Sequence, residues 1–594
     1  MRLLASLTLL AAVAAAQAPL GDYQFVQLHL RGSRKPLARN LGGVITFDAG
    51  GSYTLRARMA TGEAAAQPLT ASGNFQVSPA GTVSMTNPAK ADARLRVRSG
   101  DGGRFLLGSS VDSGEEDYDL FIAFKAGTGI TAADVRGEYG AAYLSLARGD
   151  SAGLATAFVE LEADGAGGFP HAAVNGHLAS VDDTMRREQI MASTYAIRSD
   201  GTGTATFAEG SEVLARDREI LVAPGGGLIL GFSTSPAQRD IFIAVRKNPD
   251  VAAFLFRGPY WISELLAEND FEFNPEGARF GAAAGTASSN GDGTATVAQR
   301  VQMAGRRTNL TTLNRYYLGT GAPSMLGPAL RVGLANIAFS DDFALFAGAQ
   351  VGATGELALD HGIFVGVRQT RRSASGVFLD PAGIANSAAP VVPGASVAPG
   401  ALITLTGSGL AASRVRATAD PLLELGGVRV TFNGEAAPLR AVSPESIEAV
   451  VPSSTAPGLA AIQATVDGKA SNVIEVDVAS TSPALFSNTS GVGWAAAYHP
   501  DFAPITPARP AEPSEIVILT LAGLSSDLND LAALFSGRPG EIEFAGAMPG
   551  FVGVYQINVK LPEELPPGES AAVAIRTADS FTDLAELPVK SARQ

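Results

Sequence analysis

One sequence pattern occurs three times in this chain, and the distance between its copies limits the folds available. Each copy opens on Gly-x-Tyr and closes on a run of the Ile-Phe-Ile-Ala type. The opening tyrosines lie 116 and 121 residues apart, at Tyr23, Tyr139 and Tyr260. The closing phenylalanines lie 121 and 122 residues apart, at Phe121, Phe242 and Phe364. A period this long exceeds that of a solenoid repeat, so it predicts three duplicated small domains.

Each repeat reads as a succession of short β-strands. Apolar and polar residues alternate, as in 23–30 and 52–58, and Gly, Asp and Pro separate the segments. This pattern predicts an antiparallel meander. About eight strands per repeat would be enough to close an up-and-down barrel, which removes exposed strand edges. Helical periodicity is scarce; only 262–269 suggests one or two helical turns.

Composition changes near residue 375, where a Pro- and Ala-rich stretch precedes strands at a spacing typical of β-sandwiches. The sequence therefore predicts an all-β protein: three duplicated antiparallel meander or up-and-down barrel-like domains followed by two Ig-like sandwiches. The predicted segments are a signal peptide at 1–16, repeats at 19–128, 134–248 and 254–372, a linker at 373–390, and Ig-like domains at 391–480 and 481–594.

The N-terminus has the features of a secretory signal. Met1-Arg2 supplies the positive charge, Leu3 to Ala16 an apolar run too short to span a membrane, and Ala14-Ala-Ala16 a cleavage pattern. No later stretch is long and apolar enough for a membrane span. The 594 residues include no cysteine, which excludes disulfides and thiol nucleophiles. We therefore expect export from a bacterial cell, to the periplasm, the cell surface or the exterior.

The last third of the chain resembles a known module. The motifs that carry the likeness begin with Val397-Ala-Pro-Gly-Ala-Leu-Ile-Thr-Leu-Thr-Gly and occupy 383–390, 397–410, 443–452 and 544–562. In this order they resemble the Ig-like, IPT/TIG-type C-terminal module of secreted acidobacterial proteins of uncharacterised function, over roughly 384–580. The resemblance implies an exported protein with paired Ig-like domains and brings no catalytic residues. The three repeats resemble no family.

Charge and motifs exclude several functions. The net charge of −14 argues against a nucleic-acid partner, whose phosphates require a basic surface. The sequence has no Gly-x-Ser-x-Gly elbow, phosphate loop or dinucleotide fingerprint. The five histidines are dispersed without metal-ligand spacing, so structural or solvent roles are expected for them.

Two groups of residues remain as candidate sites. The run 112–119 concentrates five carboxylates whose oxygens suit Ca²⁺: Asp112, Glu115, Glu116, Asp117 and Asp119. A solvated hairpin loop is the alternative interpretation, and no other cofactor is expected. Exposed aromatic rings stack on sugars, and the candidates for this are Trp261, Tyr316 and Tyr317.

The sequence thus favours an exported modular β protein that acts in extracellular binding, adhesion or structure, without catalytic activity. Its expected partners are a glycan or a cell-surface or extracellular protein, reached through barrel mouths or aromatic patches. The alternative is a secreted glycoside hydrolase whose carboxylates come from separate strands.

Overall fold

The computed structural model confirms the fold class. It describes residues 18–111, 116–147, 153–178, 185–248, 256–268, 279–317, 324–328, 333–353, 361–369, 376–390, 392–418, 422–488, 493–524, 528, 530–565 and 568–590. Within these ranges the structure is almost entirely β, and its helical segments are 3₁₀ turns at 101–103, 132–134 and 224–226. The predicted signal peptide, 1–16, lies outside the described residues. Contacts divide the chain into a unit of 1–294, 301–306 and 314–370 and a unit of 295–300, 307–313 and 371–594.

The first repeat forms a closed eight-stranded barrel, here called barrel 1, in which each strand pairs with its neighbour in the chain and β1 pairs with β8. Its strands are β1 (Gly21–Arg31), β2 (Leu37–Phe47), β3 (Ser52–Thr61), β4 (Gln67–Val77), β5 (Val83–Asn87), β6 (Lys90–Gly100), β7 (Phe105–Ser109) and β8 (Asp117–Lys125). Large side chains fill its interior, among them Phe25 and Phe121, whose rings stack at 5.4 Å. The up-and-down topology follows from the alternation and the short turns.

The second repeat closes in the same way into barrel 2, with β9 paired to β16. Its strands are β9 (Arg136–Ala147), β10 (Leu154–Asp164), β11 (Gly168–Leu178), β12 (Met185–Ile197), β13 (Thr202–Thr206), β14 (Asp217–Val222), β15 (Leu228–Phe232) and β16 (Gln238–Arg246). Corresponding tyrosines serve the same purpose in both barrels: Tyr23 donates to the Gly103 carbonyl and Tyr139 to the Gly226 carbonyl. Each bond ties the opening strand to a 3₁₀ turn.

The third repeat supplies β17 (Arg257–Glu268), β18 (Arg279–Asn290), β19 (Thr294–Met303), β20 (Arg306–Tyr317), β21 (Ser324–Pro328), β22 (Gly333–Phe339), β23 (Leu345–Ala353) and β24 (His361–Arg368). As in the other repeats, the opening strand β17 pairs with both the next strand and the closing strand. The helical turns expected at 262–269 are wrong, because Ile262–Glu268 belongs to β17. The run does not alternate between apolar and polar residues, since both faces of this strand are buried, including the polar Ser263 and Glu264.

The opening and closing strands of the repeats are buried on both faces, which is unusual for antiparallel strands. Inward side chains fill each repeat, while outward side chains meet in one hydrophobic cluster, here called the shared core. Members of the shared core include Leu28, Leu120 and Ile122 from the first repeat, Leu144, Ile241 and Ile243 from the second, and Leu265, Ile363 and Val365 from the third. Burial on both sides explains why the closing strands carry consecutive apolar residues, as in 120–124 and 241–245.

Glycines allow each pair of repeats to approach closely. A Cβ added to Gly42 would lie 2.0 Å from a ring carbon of Phe232. One added to Gly140 would lie 2.6 Å from the Cβ of Ala338. One added to Gly100 would lie 2.2 Å from a methyl carbon of Val367. These contacts join the first repeat to the second, the second to the third and the third to the first. The three repeats thus surround the shared core.

The second unit contains two sandwiches. In the first, β25 (Phe378–Asn386), β26 (Leu402–Ser408), β31 (Ser446–Val450), β30 (Leu439–Val442) and β27 (Val415–Arg416) face β29 (Glu435–Ala437), β28 (Val428–Phe432), β32 (Gly458–Val466) and β33 (Lys469–Val478) across one core. The linker predicted at 373–390 is wrong for 378–386, which form β25. Its alanines and prolines concealed Leu379 and Ile384, which are buried in that core.

The second sandwich has a core of its own. One sheet contains β34 (Ala484–Leu485), β36 (Ala497–Tyr498), β37 (Ile516–Ala522), β41 (Val554–Lys560) and β40 (Glu541–Ala547). The other includes β35 (Gly493–Trp494), β43 (Ser580–Pro588), β42 (Ser570–Arg576), β38 (Ala532–Phe535) and β39 (Arg538–Pro539). Over the described ranges, no helix has the length and apolar character needed to cross a membrane.

Candidate functional site

Barrel 1 encloses a polar network at one end of its otherwise apolar interior. Strand alternation points Gln27 and His29 of β1 inward, on the same face as Phe25, and does the same for Asp117 and Asp119 of β8. The side chains of His29 and of both aspartates are at most 1% exposed. A buried group of this kind is stable only if its members satisfy one another.

Asp119 is the best-satisfied carboxylate in the network. His29 Nδ1 lies 3.1 Å from its Oδ1, Asn87 Nδ2 donates to its Oδ2 at 3.0 Å, and the Gln27 amide also donates to it. Burial alone would raise the pKa of Asp119, but the His29 charge and the hydrogen bonds from His29 and Gln27 outweigh burial and leave the pKa below its usual value.

Asp117 has fewer partners. Lys90 Nζ lies 2.6 Å from its Oδ2, and the lysine side chain is 5% exposed. On its other side, His29 Nε2 lies 3.6 Å from Asp117 Oδ1, and neither atom makes a hydrogen bond. The imidazole of His29 therefore lies between two aspartates, one hydrogen-bonded and one only close.

The described carboxylates of the predicted Ca²⁺ site do not all face the same side of the strand. Glu116 lies on the opposite face of the chain from Asp117, is exposed and accepts bonds from Ser33, because successive strand residues point in opposite directions. Asp112 and Glu115 lie outside the described residues. Among the residues that are described, no group of three His, Asp or Glu side chains is arranged to hold a metal ion.

Barrel 2 has a different polar group at the corresponding position. Asp240 aligns with Asp119, two residues before the closing phenylalanine, and its Oδ2 lies 3.7 Å from Nη1 of the buried Arg218. The Arg218 guanidinium also lies 4.6–5.1 Å from the rings of Tyr143, Phe207 and Phe242. Burial raises the pKa of Asp240. The group is a cation held in an aromatic box beside one carboxylate.

Two histidines meet where the second and third repeats pack together. The rings of His177 and His361 stack with centroids 4.1 Å apart, and Thr156 Oγ1 lies 3.3 Å from His361 Nδ1. Burial, and secondarily His177, lower the pKa of His361 from 6.5 to about 3. The structural role expected for the histidines is consistent with this packing.

The His361 shift predicts acid sensitivity. The unfolded chain takes up a proton near pH 6.5, whereas the folded chain does so only near pH 3, so this stabilising contribution is present above pH 6.5 and is lost as the pH falls towards 3. We expect His361→Gln to flatten the pH dependence of unfolding free energy in that window. Denaturant titrations at several pH values would measure it; a slope equal to that of the unmodified protein would contradict the assignment.

Barrels 1 and 2 form a groove of about 440 Å³ that is open to a ligand. Gly42 and Gly43 lie along it, and three arginines line it: Arg56, Arg58 and Arg198. Arg58 donates to Glu219 at 2.5 Å across the two barrels, and Arg198 donates to Thr202 at 3.1 Å. Arg56 is exposed and, in the described structure, no hydrogen bond or ion pair to it is seen. The groove therefore has more positive than negative charge in an otherwise acidic protein.

The aromatic candidates have separate environments. Trp261 packs on the shared core, and the Arg98 guanidinium carbon lies 4.6 Å from its ring centroid, so one ring face is occupied. Tyr316 and Tyr317 are at the end of β20, and their side chains lie outside the described residues.

Sequence reasoning missed both the arginine groove and the buried groups. The groove combines residues more than 100 positions apart, which no local motif reveals. The aspartates left a signal: Asp119 and Asp240 occupy the same repeat position, where Gly362 stands in the third repeat. A carboxylate retained within an apolar marker strand indicates a buried partner.

Comparison with known proteins identifies one domain. Residues 390–484 match the IPT/TIG domain family, which confirms the Ig-like resemblance in that part of the chain. No curated protein matches the chain.

Solved structures show only distant likeness. SGBP-B of the Bacteroides ovatus mixed-linkage glucan utilization locus, in complex with a mixed-linkage heptasaccharide, aligns at 13% identity and a TM-score of 0.18, over 41% of this chain and 54% of its own. The gamma-CGTase of alkalophilic Bacillus clarkii aligns at 10% identity and a TM-score of 0.14, over 47% of this chain and 40% of its own. Kievitone hydratase from Nectria haematococca aligns at 8% identity and a TM-score of 0.16, over 60% of this chain and 92% of its own. This chain thus spans about half the length of the first two proteins.

Proposed function

We propose that this chain is an extracellular, non-catalytic binding protein whose groove between barrels 1 and 2 holds an anionic ligand, in particular an acidic polysaccharide. The single observation that carries the proposal is the set of three arginines around one groove in a protein of net charge −14. The secretory features at 1–16 and the IPT/TIG domain support an extracellular location.

The groove suits recognition of carboxylates. Arginine presents several donors in a planar fork that matches a carboxylate in two parallel hydrogen bonds. Arg58 is held in place by Glu219 and by a 3.1 Å bond to the Ala66 carbonyl, so it shapes the groove, while Arg56 and Arg198 are available to the ligand. A groove that is open can bind the middle of a long polymer and does not require a chain end. This favours a polysaccharide.

The barrel interiors give less support to catalysis. Asp117 and Asp119 come close together, as a glycosidase would require, but both are fully buried and bound to Lys90, His29, Gln27 and Asn87. A glycosidic bond must reach both carboxyl groups to be cleaved. We expect no release of reducing ends from any polysaccharide that binds; measurable release would contradict the non-catalytic part of the proposal.

The binding test uses the full chain with polygalacturonate and a neutral β-glucan as probes. We expect binding of polygalacturonate that weakens as salt is raised, because exposed charges are screened. Replacing Arg56 and Arg198 by alanine removes charge-assisted bonds worth about 1.5–3 kcal/mol each, so affinity should fall by roughly tenfold or more per arginine. Isothermal titration calorimetry would measure this.

Arg136→Ala is the matched control, since Arg136 is an exposed arginine of barrel 2 that does not line the groove. It should leave the affinity unchanged. Equal loss in the control and the groove variants would show binding by general charge. Equal affinity for the neutral glucan, or no binding of the acidic polymer, would overturn the proposed ligand class.

A further inference from the structure

The ion pair between Lys90 and Asp117 is short and buried inside barrel 1. Lys90 Nζ and Asp117 Oδ2 are 2.6 Å apart, on β6 and β8, and the two side chains are 5% and 1% exposed. Removing a lysine and an aspartate from water costs several kcal/mol per ion, and their attraction returns that cost only partly. A covalent product without charge would remove this cost.

The surroundings of Asp117 supply what amide formation needs. Its second oxygen, Oδ1, makes no hydrogen bond and faces His29 Nε2, which is also without one, at 3.6 Å. Asp119 holds the other ring nitrogen, Nδ1, at 3.1 Å and so fixes the orientation of the imidazole. Two unsatisfied buried atoms directed at one another are rare in folded proteins and indicate a role beyond packing.

We propose that Lys90 and Asp117 form an intramolecular amide bond, a covalent cross-link between β6 and β8 inside barrel 1. The Lys90 ammonium transfers a proton to Asp117 Oδ2, and the neutral Nζ attacks Cγ. The tetrahedral intermediate places negative charge on Oδ1, to which a protonated His29 Nε2 donates. Oδ2 takes a second proton from Nζ and leaves as water. One N–C bond forms, one C–O bond breaks, and the reaction needs no oxidant, reductant or external group.

Burial promotes each step. Because the pair is buried, it has lost the hydration that favours the two charges in water, which lowers the cost of transferring the proton from Lys90 Nζ to Asp117 Oδ2 and so of reaching the forms that react. Strands β6 and β8 hold the two groups in contact, which replaces a bimolecular encounter by an intramolecular one. His29 is a positioning and proton-donating residue here, and Asp119 acts through it.

Mass spectrometry of the full-length secreted protein tests the proposal. The intact mass should be lower, by the mass of one water molecule, than that calculated for the mature N-terminus found by sequencing. After proteolysis, the peptide containing Lys90 should be joined to the peptide containing Asp117, and trypsin should not cut after Lys90. The calculated mass together with a free Lys90 peptide from folded protein would overturn the proposal.

Variants separate the reaction from folding. Lys90→Arg keeps the cation and Asp117→Ala removes the electrophile; each should show the full calculated mass. Lys35→Arg, at an exposed lysine of the same barrel, should keep the water loss. His29→Gln should reduce the cross-linked fraction at a fixed time after synthesis while circular dichroism still shows the β-sheet spectrum. An unchanged cross-linked fraction in folded His29→Gln would refute the role given to His29.

Discussion

Replacing Arg218 by methionine should lower the free energy of unfolding of the barrel unit by about 3–5 kcal/mol, since removal of one partner leaves a buried charge uncompensated. Arg218 is the cation nearest to Asp240 Oδ2, and its guanidinium lies among three aromatic rings. Methionine fills similar volume without charge. The double variant Arg218→Met, Asp240→Leu removes both charges, and it should regain most of the loss.

Fluorescence offers a direct measurement. Trp261 lies in the barrel unit and Trp494 in the other, so denaturant titration in a Trp494→Phe background follows the barrels alone. Arg216→Met is the matched control, because Arg216 is 58% exposed and its pair with Glu209 contributes about 0–1 kcal/mol. If the single variant at Arg218 were as stable as this control, the buried pair would make no measurable contribution to stability.

The second large loss of stability is expected from substitutions on both faces of one strand, β8. Phe121 of β8 points into barrel 1 and the adjacent Ile122 into the shared core, and both are fully buried. Phe121→Ala should cost about 3–5 kcal/mol and Ile122→Ala about 2–5 kcal/mol. In a barrel surrounded by solvent the outward substitution would be almost neutral.

The same tryptophan assay distinguishes the two situations. Thr54→Ala provides the control, since Thr54 is an outward residue of β3 that remains exposed, and its effect should stay within about 0.5 kcal/mol. A cost for Ile122→Ala no greater than that of Thr54→Ala would mean that the repeats do not pack on one another through β8.

Sequence periodicity was sufficient to predict three antiparallel β repeats, because alternation and turn residues act locally, but it left open whether each repeat closes into a barrel. It was insufficient at Ile262–Glu268 and at 378–386, where the deciding factor is burial from both sides or by a distant strand. The shared core could not be predicted from one repeat, as an outward Leu120 reads like any exposed strand residue until its neighbours are known.

The candidate site shows the same division. The cluster 112–119 drew attention by its charge, yet alternation along β8 directs Asp117 and Asp119 inward to His29 and Lys90, which come from other strands. Arg56 and Arg198 are ordinary surface arginines until the two barrels place both of them along one groove. Both sites are formed by contacts between segments that are distant in sequence, and no local motif reveals such contacts.

The contacts that link first to second, second to third and third to first repeat bear on how such a chain arose. A single ancestral repeat would have exposed the apolar outward face of its opening and closing strands, and three copies closing around a rotation axis would have covered it. In a single chain the three repeats stay together without needing identical surfaces, so each can differ from the others. The aspartate at 119 and 240, and the glycine at 362, are such a difference.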